Sequence, residues 1–459
     1  MKKKVDLNRI FLLFLLGGMM VQTIRLLPFR PLYQIFPYFV LILFGIIFLK
    51  DFFNGKYMWK SYKIILLIIF LAIYFVSSCI NYKYAFIDNI QLIFWMCVQF
   101  FAVYSFDKRK EKKYYIRTLE IVAKFFIAFT FIAAVASLIT YFFNINGILD
   151  YGYIEFRYGF RNNRLFGVHG SPNYGALFSV VSIIFTAYFW KKCRKKWGKV
   201  FLICNYIFEY LYIVLSGSRT GQVTLFIGVL FCLFSALQFK KGKVTVKKTL
   251  CNIIISAILP LLLIGSYPVT QTACYSVKSI MSQESSVEEE ENKEEEDSFK
   301  RLDIEDDVTN QRADIWKDAV NLVWENGKIF GKTNLGYFSY LEEYYPDSFI
   351  VQYDKISLHN DWITLLAGSG LAGLSVMVIF CVFVAVRIAK YIFKYRNVKE
   401  KLLEIWLPIT ILLCFLATTL ISDAVFLVIT TESILFWLFL GYIMYIIDLD
   451  KGQKNGSKN

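Results

Sequence analysis

The sequence predicts an all-α polytopic membrane protein, and three observations lead to that fold class. The chain has 459 residues, 57% of them hydrophobic, and a mean hydropathy of +0.49. Its apolar residues recur in blocks of about 17–25, the length at which a helix crosses a bilayer core of about 30 Å. The loops between these blocks alternate in charge, as expected when basic residues stay on the cytoplasmic side.

Hydropathy places about twelve transmembrane helices along the chain. The first begins in "MKKKVDLNRIFLLFLL", whose apolar run continues without a small-residue cleavage site, so we interpret it as a retained helix rather than a signal peptide. The predicted spans lie near residues 10–26, 33–50, 62–80, 86–105, 118–142, 172–190, 199–215, 221–238, 250–267, 361–386, 402–421 and 425–447.

Charge orients these spans. The basic loops "DKRKEKKYYIR", "KKCRKKWGK", "KKGKVTVKK" and "RIAKYIFKYRNVKEK" fall on one side with both termini, and "NYKY", "SGSRTG" and "SDA" fall on the other. The positive-inside rule makes the basic side cytoplasmic and predicts a bacterial cytoplasmic membrane protein with both termini inside. The net charge of +15 is thereby explained without nucleic acid as a partner.

The chain divides into four predicted regions. Residues 1–265 hold helices one to nine, and residues 266–360 form one large extracytoplasmic loop. Residues 361–447 hold the last three helices, and residues 448–459 form a cytoplasmic tail. Within the loop, the acidic low-complexity insert 284–298 has the composition of a solvated, disordered segment.

An amphipathic helix is predicted after the acidic insert. Asn310 is a good helix cap, and Gly327 and Gly331 end the run. The apolar stripe indicates a helix that lies on the outer leaflet. It consists of Ile315, Ala319, Val320, Val323 and Trp324.

Polar groups near the membrane are costly, so those that persist are candidates for function. Arg219 lies in "SGSRTG", a tight outer hairpin in which Ser218 and Thr220 add donors, and the start of a helix favours an anion. The alternative is an arginine that reaches the headgroups from a helix end.

The first long outer loop carries three arginines on the side that is expected to be poor in basic residues. They are Arg157, Arg161 and Arg164, and Asn173 follows the loop at the start of the sixth span. We predict that all four bind substrate, with anchoring to lipid headgroups as the alternative.

Histidine occurs twice, at His169 and His359. Histidine is the natural general base near neutral pH, and His359 precedes a span beside Asn360, after a loop that brings Arg312 to the same surface. The alternative for each is a hydrogen-bonded polar residue at the interface. Glu209 and Glu432 lie within spans, where either is a candidate partner for an arginine.

Metal chemistry has little support in the sequence. The nine cysteines show no CxxC pair or metal-ligand spacing, and most fall inside apolar spans. "DLDK" at Asp448–Lys451 looks like a metal-binding DxD, but its place on the predicted cytoplasmic tail favours a helix end. We predict neither a metal nor another cofactor.

Three stretches resemble the O-antigen ligase and polysaccharide polymerase (Wzy-type) superfamily of bacterial membrane glycosyltransferases. They are "RLFGVHGSPNYGA", "SGSRTG" and "QRADIWKDAV…NGKIFGKTNLGYF…HNDWITLLAGSGLAGL". The resemblance covers much of residues 160–375, and its most specific part is the histidine–asparagine pair followed by G-x-G-x-x-G. The acidic insert is not part of the family pattern.

The resemblance implies an inverting, metal-independent glycosyl transfer from undecaprenyl diphosphate on the outer membrane face. It implies His359 as the base, with Arg219 and Arg312 holding the diphosphate. His169, Asn173, Ser218, Thr220 and Asn360 are the associated candidates for substrate binding, although His169 departs from the family pattern.

The leading function is therefore a polymerase of lipid-linked repeat units for capsule or another surface polysaccharide. Its expected partners are the lipid-linked donor and acceptor, membrane lipids, a chain-length regulator and a flippase. A ligase that transfers finished glycan to another acceptor has the same implied site. A transporter or flippase also fits twelve spans, but no internal repeat relates the two halves, and the polar candidates gather at one face.

Overall fold

The computed structural model describes residues 6–24, 30–56, 61–150, 155–238, 245–283, 311–353 and 357–456. The chain forms two compact units. The first unit comprises Met1–Leu16, Phe36–Tyr115 and Asp306–Asn459, and the second comprises Gly17–Ile35 and Ile116–Glu305. The predicted acidic insert and the predicted cap Asn310 lie outside the described residues.

Long apolar helices make up most of the fold. In chain order the first ten are α1 Leu7–Gln22, α2 Arg30–Phe53, α3 Tyr62–Ile80, α4 Phe86–Cys97, α5 Lys112–Phe142, α6 Pro172–Trp190, α7 Lys196–Ser216, α8 Arg219–Gln238, α9 Val246–Gly265 and α10 Tyr267–Gln283. The rest are α11 Arg312–Leu322, α12 Tyr337–Tyr344, α13 Phe349–Gln352, α14 Asp361–Lys394, α15 Lys399–Leu403, α16 Trp406–Thr418 and α17 Thr431–Gly456. π-helical turns extend α4 over Val98–Val103 and α11 over Val323–Gly327.

The predicted class, an all-α polytopic membrane protein, is confirmed. Within the described residues, ten helical segments are long and apolar enough to cross a membrane, and α1 and α16 are shorter apolar helices. Each predicted span has one of these twelve as its counterpart, and the predictions at 62–80 and 172–190 match α3 and α6 end to end. Local chemistry fixes the start of α6, because Ser171 accepts a hydrogen bond from the Asn173 backbone and Pro172 occupies the first turn.

The second unit contains a small sheet that the sequence analysis did not predict. Strands β1 Gly147–Asp150, β2 Glu155–Arg161 and β3 Arg164–Gly167 form an antiparallel sheet in that order. Asn162 and Asn163 join β2 to β3 with φ of 52° and 54°. Two central residues with positive φ suit a tight hairpin, and asparagine tolerates that conformation well.

Helices α6, α7 and α8 pack closely in the second unit. A Cβ on Gly175 of α6 would lie 2.2 Å from the Tyr212 hydroxyl of α7. A Cβ on Gly221 of α8 would lie 2.7 Å from Ala176 of α6. Small residues allow this approach, which is how membrane helices gain packing contacts.

The first unit is centred on α17, whose Trp437 is fully buried. The Trp437 ring meets Phe100 and Tyr104 edge-on and packs against Phe380 of α14. Elsewhere in this unit α14 packs on α3, and α16 packs on α17.

The described part of the large loop builds its own core. Ile315, Ala319 and Val323 of the predicted amphipathic helix are buried against Tyr337 and Leu341 of α12. The same cluster includes Ile350, Leu358 and Ala367. The expectation that this stripe lies on a lipid leaflet is wrong for these three residues, because their neighbours are protein side chains. Val320 and Trp324 of the predicted stripe are exposed.

The glycine segment of α14 receives the loop chain. Gly370 has φ 63° and ψ −167°, which breaks the helix locally, and Gly331 has φ 70°. A Cβ on Gly331 would lie 2.5 Å from the Ala367 carbonyl. Main-chain bonds from Lys332 to Ala367 and from Leu371 to Lys328 satisfy backbone groups near the break. The G-x-G-x-x-G pattern therefore anchors the loop to a membrane helix.

Candidate active site

The three arginines of the first outer loop lie in different surroundings. The hairpin pairs Arg161 of β2 with Arg164 of β3. Arg157 is exposed and Arg161 half-buried, whereas Arg164 is buried. The sequence predicted the same substrate contact for all three arginines, but burial separates Arg164 from the other two.

Arg164 is held by the turn between α7 and α8. Its Nε donates to the Ser216 carbonyl at 3.1 Å, and its Nη2 donates to the Asn173 Oδ1 at 3.0 Å. The Ser218 hydroxyl donates to the same Asn173 oxygen at 2.8 Å. We call Arg164, Asn173 and Ser218 the arginine cluster, and Arg219 follows Ser218 in the chain. Its geometry is rigid because each polar group fixes the next.

The "SGSRTG" stretch forms the tight turn that its glycines predict. Gly217 closes α7 in the left-handed region with φ 58°, and α8 begins two residues later at Arg219. The Ser218 Oγ accepts a hydrogen bond from the Gly221 backbone at 3.0 Å. Arg219 is exposed beside these backbone donors, whereas Thr220 is buried. A helix start with an exposed arginine suits an anion, and that ligand stays a prediction.

His169 lies inside the second unit. Only 3% of its surface is exposed, and its ring meets Phe178 and Tyr212 edge-on. Its Nδ1 has no hydrogen-bond partner among the described residues. Burial lowers the pKa of His169 to about 4, because the imidazolium cannot be solvated there. Its predicted contact with substrate is not tested by this placement.

His359 lies in the first unit, and its imidazole is exposed. The Ser357 hydroxyl donates to Asp423 Oδ2 at 2.6 Å and lies 3.2 Å from His359 Nδ1. Since the single hydroxyl proton goes to the carboxylate, the hydroxyl oxygen accepts from Nδ1–H. That tautomer puts the imidazole lone pair on Nε2. We call Ser357, His359 and Asp423 the histidine relay.

Asp423 also fixes the main chain that carries the imidazole. Its Oδ2 accepts from the His359 backbone at 3.1 Å, and its Oδ1 accepts from the Asn360 backbone and the Thr364 hydroxyl, both at 2.8 Å. His359 has φ 52°, a conformation that costs a non-glycine residue about 1–2 kcal/mol. The bonds to Asp423 offset that cost and hold the histidine in one orientation.

Asp423 is the site residue that sequence reasoning missed. It lies in "SDA", which the hydropathy analysis treated as a short outer turn. A carboxylate in a loop between two apolar spans is a signal for function, but its partner is 64 residues away. Only the fold joins them.

Asn360 caps α14. Its Oδ1 accepts from the Trp362 backbone at 2.9 Å and the Ile363 backbone at 3.2 Å, while its Nδ2 donates to the Leu420 carbonyl at 3.1 Å. Asp361 follows it and accepts from the backbones of three residues after Asp423, which are Ala424, Val425 and Phe426. The side chain of Asn360 positions the relay, and its predicted contact with substrate stays a prediction.

Arg312 starts α11 one turn before Trp316. The Trp316 indole donates to the Leu358 carbonyl at 2.8 Å, next to His359 in the chain. Residues four apart on a helix lie on one face, so this bond directs the face that carries Arg312 toward the segment that carries the imidazole. The predicted association of Arg312 with His359 is compatible with this arrangement.

Among the described residues, neither Glu209 nor Glu432 forms the arginine pair that we considered for it. Glu209 is fully buried, and its carboxylate lies beside the hydroxyls of Thr130, Ser179 and Ser182. Asp448 of "DLDK" contacts Lys63, Lys108 and Arg387 at 2.5–3.0 Å. Cations already surround this carboxylate, which supports the interpretation of "DLDK" as a helix end. Across the described residues, no group of three or more His, Cys, Asp and Glu could hold a metal ion.

A comparison with known protein families gives one match for this chain. A family model described as O-antigen ligase matches residues 204–378. This stretch of the chain is similar to O-antigen ligases. It contains Arg219, Arg312 and His359, whereas Arg164 and Asp423 lie outside it. The resemblance to the O-antigen ligase and Wzy-type superfamily is thereby confirmed.

The match to the O-antigen ligase family supports a ligase- or polymerase-type function and a glycosyltransferase-like enzyme. With the ten apolar helical segments, it also supports a multi-pass membrane protein. No curated protein matches the chain.

Proposed function

We propose that this protein is a polymerase of undecaprenyl-diphosphate-linked oligosaccharide repeat units at the outer face of the bacterial cytoplasmic membrane. The product is a capsular or other surface polysaccharide. The observation that carries the proposal is the histidine relay. Its exposed imidazole lies in the stretch that matches the O-antigen ligase family, and its Nδ1 is tied through Ser357 to Asp423.

His359 acts as the general base in this proposal. A sugar hydroxyl is a poor nucleophile, and one positioned base typically contributes about 10²–10⁴-fold to the rate. The acceptor oxygen forms a bond to the anomeric carbon of the donor while its proton passes to Nε2 of His359. The bond from that carbon to the diphosphate oxygen breaks, and the lipid diphosphate leaves with the electron pair. One displacement inverts the anomeric configuration.

Arg219 and Arg312 stabilise the leaving diphosphate. A lipid diphosphate is already a good leaving group, so it needs charge stabilisation more than protonation. Guanidinium forks match phosphate oxygens bidentately, and a donor that meets developing charge contributes roughly 3–4 kcal/mol. This assignment needs no metal ion.

A ligase is the second candidate. The description of the matching family, O-antigen ligase, favours it directly. The relay and the arginines would serve the same displacement, with the finished glycan as donor and a different acceptor. In either case a flippase supplies the lipid-linked units, and in the polymerase case a chain-length regulator is an expected partner.

The lipid-linked glycans of the host test the proposal. We would compare wild type, a deletion, His359→Ala and Arg219→Ala, with Gln352→Ala as a control at an exposed position of the same loop. All variants must reach equal protein levels in the membrane. We expect single repeat units to accumulate on the outer leaflet in the deletion and in the histidine and arginine variants.

Other patterns assign other functions. Full-length lipid-linked polymer that is never passed on establishes the ligase. Units held on the inner leaflet establish a flippase. Normal polymer from His359→Ala rules that residue out as the base.

A further inference from the structure

The described part of the large loop carries a half-open cavity of about 330 Å³, and no residue of the relay lines it. Its walls come from the end of α11, the end of α12 and the turn that follows α12. Leu322 and Leu341 line it and belong to the loop's own hydrophobic core. The cavity is therefore built on rigid secondary structure.

Hydrogen bonds between the walls hold the cavity open. Asp318 Oδ2 accepts from the Ile350 backbone at 3.2 Å, which ties α11 to α13. Glu325 Oε2 accepts from the Tyr345 hydroxyl at 3.0 Å, and Asn326 donates to the same hydroxyl. A preformed site of this kind binds with little ordering cost.

All charged residues that line the cavity are acidic. Asp318, Glu325 and Asp347 supply carboxylates, and the ten lining residues, all described, include no lysine or arginine. A phosphate or a uronate is excluded here by like-charge repulsion. The three carboxylates do not come together as a metal site either, since no such group of three or more His, Cys, Asp and Glu exists in the described ranges.

We propose that this cavity is a saccharide subsite for an uncharged or amine-bearing sugar residue of the glycan chain. Carboxylates accept strong hydrogen bonds from hydroxyl groups, and Asn321 adds a donor and an acceptor. Tyr344 and Tyr345 offer flat apolar faces with polar edges. A concave site with aromatic walls and a few convergent polar groups is typical of small-ligand binding.

The subsite rests on the proposed function. It would bind a sugar residue of the same glycan that reacts at His359. Trp316 and Asp318, two positions apart on α11, bond to Leu358 beside the relay and to Ile350 beside the cavity. Two residues advance a helix by about 3 Å. The same short stretch of α11 thus positions both the base and the subsite.

Binding of a lipid-free glycan tests the subsite separately from catalysis. The probe is the oligosaccharide released from the host's lipid-linked units by mild acid, added to the full chain in lipid nanodiscs. Titration calorimetry with wild type should show saturable binding, at least tenfold weaker in Tyr344→Ala. Tyr353→Ala is the matched control, because Tyr353 is 54% exposed against 55% for Tyr344, and each of the two rings packs against one neighbouring ring, Phe349 for Tyr353 and Tyr340 for Tyr344.

A carboxylate-to-amide variant tests whether the negative charge contributes to binding, because it keeps the shape of the side chain. Asp347→Asn should weaken binding of the probe severalfold, whereas Glu342→Gln, exposed on α12 outside the lining, should match wild type. Absence of saturable binding to wild type, or wild-type binding by both Tyr344→Ala and Asp347→Asn, overturns the subsite.

Transfer assays distinguish failure of the subsite from failure of the proposed function. Tyr344→Ala should raise KM for lipid-linked substrate at least fivefold with kcat nearly unchanged. His359→Ala should lower kcat and leave binding of the probe intact. If His359→Ala transfers normally, the function fails whatever binds the cavity. If only Tyr344→Ala and Asp347→Asn behave as wild type, the subsite alone fails.

Discussion

The chain's two histidines lie in opposite surroundings. His169 is enclosed by Phe178 and Tyr212, has an Nδ1 without a partner among the described residues and has a pKa of about 4. His359 is exposed, and its Nδ1 is oriented by Ser357 and Asp423. A general base must be accessible to its substrate and held in one orientation, and of the two histidines only His359 is exposed and oriented by a carboxylate. The surroundings of a histidine, rather than its residue type, therefore decide whether it is a candidate for the base.

The largest expected effect is on turnover at His359. His359→Gln should lower kcat of the reconstituted protein by about 10²–10⁴-fold, because an amide cannot take the acceptor proton. The measurement is transfer of labelled lipid-linked repeat units in proteoliposomes, with Gln352→Ala as the control. Retention of more than a tenth of wild-type kcat would remove the imidazole from the chemistry.

The next effect is a pH dependence of stability that originates at His169. Its pKa is about 4 when folded against 6.5 as the ordinary value, so the unfolded chain binds more protons between these limits. Stability should therefore fall as pH drops from 6.5 to 4, by up to about 3 kcal/mol.

Thermal denaturation in detergent at several pH values measures this dependence. His169→Gln removes the titrating group, so its Tm should decline less than that of wild type over the same range. Equal declines in both proteins would mean that other groups cause the pH dependence.

A third effect tests whether orientation of the base matters. Asp423→Asn cannot accept all of the hydrogen bonds that converge on the carboxylate, so the imidazole should lose its fixed position. Misplacement of about 1 Å can cost roughly 10²-fold in rate. We expect a loss of that order in kcat in proteoliposomes, with Ser357→Ala reducing kcat less. Full activity of Asp423→Asn would show that the relay does not contribute to transfer.

The smallest expected effect concerns the arginine cluster. Arg164→Lys keeps the charge but loses the fork that bridges Ser216 and Asn173, so the buried Ser216 carbonyl loses its side-chain donor. This should cost about 1–3 kcal/mol of stability. Arg157→Lys, exposed on β2, should change stability by no more than about 0.5 kcal/mol. Equal Tm values for the two variants would contradict the division of these arginines by burial.

Local signals in the sequence were enough for the helices and several turns. Apolar runs of span length gave counterparts to all twelve predicted spans. Gly217 marked the end of α7, and Ser171 with Pro172 marked the start of α6. Asn162 and Asn163 also carry a hairpin signal, but strands this short leave no trace in hydropathy averaged over the length of a membrane span.

The sequence by itself therefore determined the membrane class, the helix positions and the resemblance to the O-antigen ligase family, since hydropathy and short motifs act within a few neighbouring residues. Tertiary structure alone decided which polar groups share a cluster. His359 meets a carboxylate 64 residues away, and Arg164 meets a carbonyl 52 residues away. Such pairs leave no periodic trace, because their partners become neighbours only when helices pack and buried polar groups must find one another.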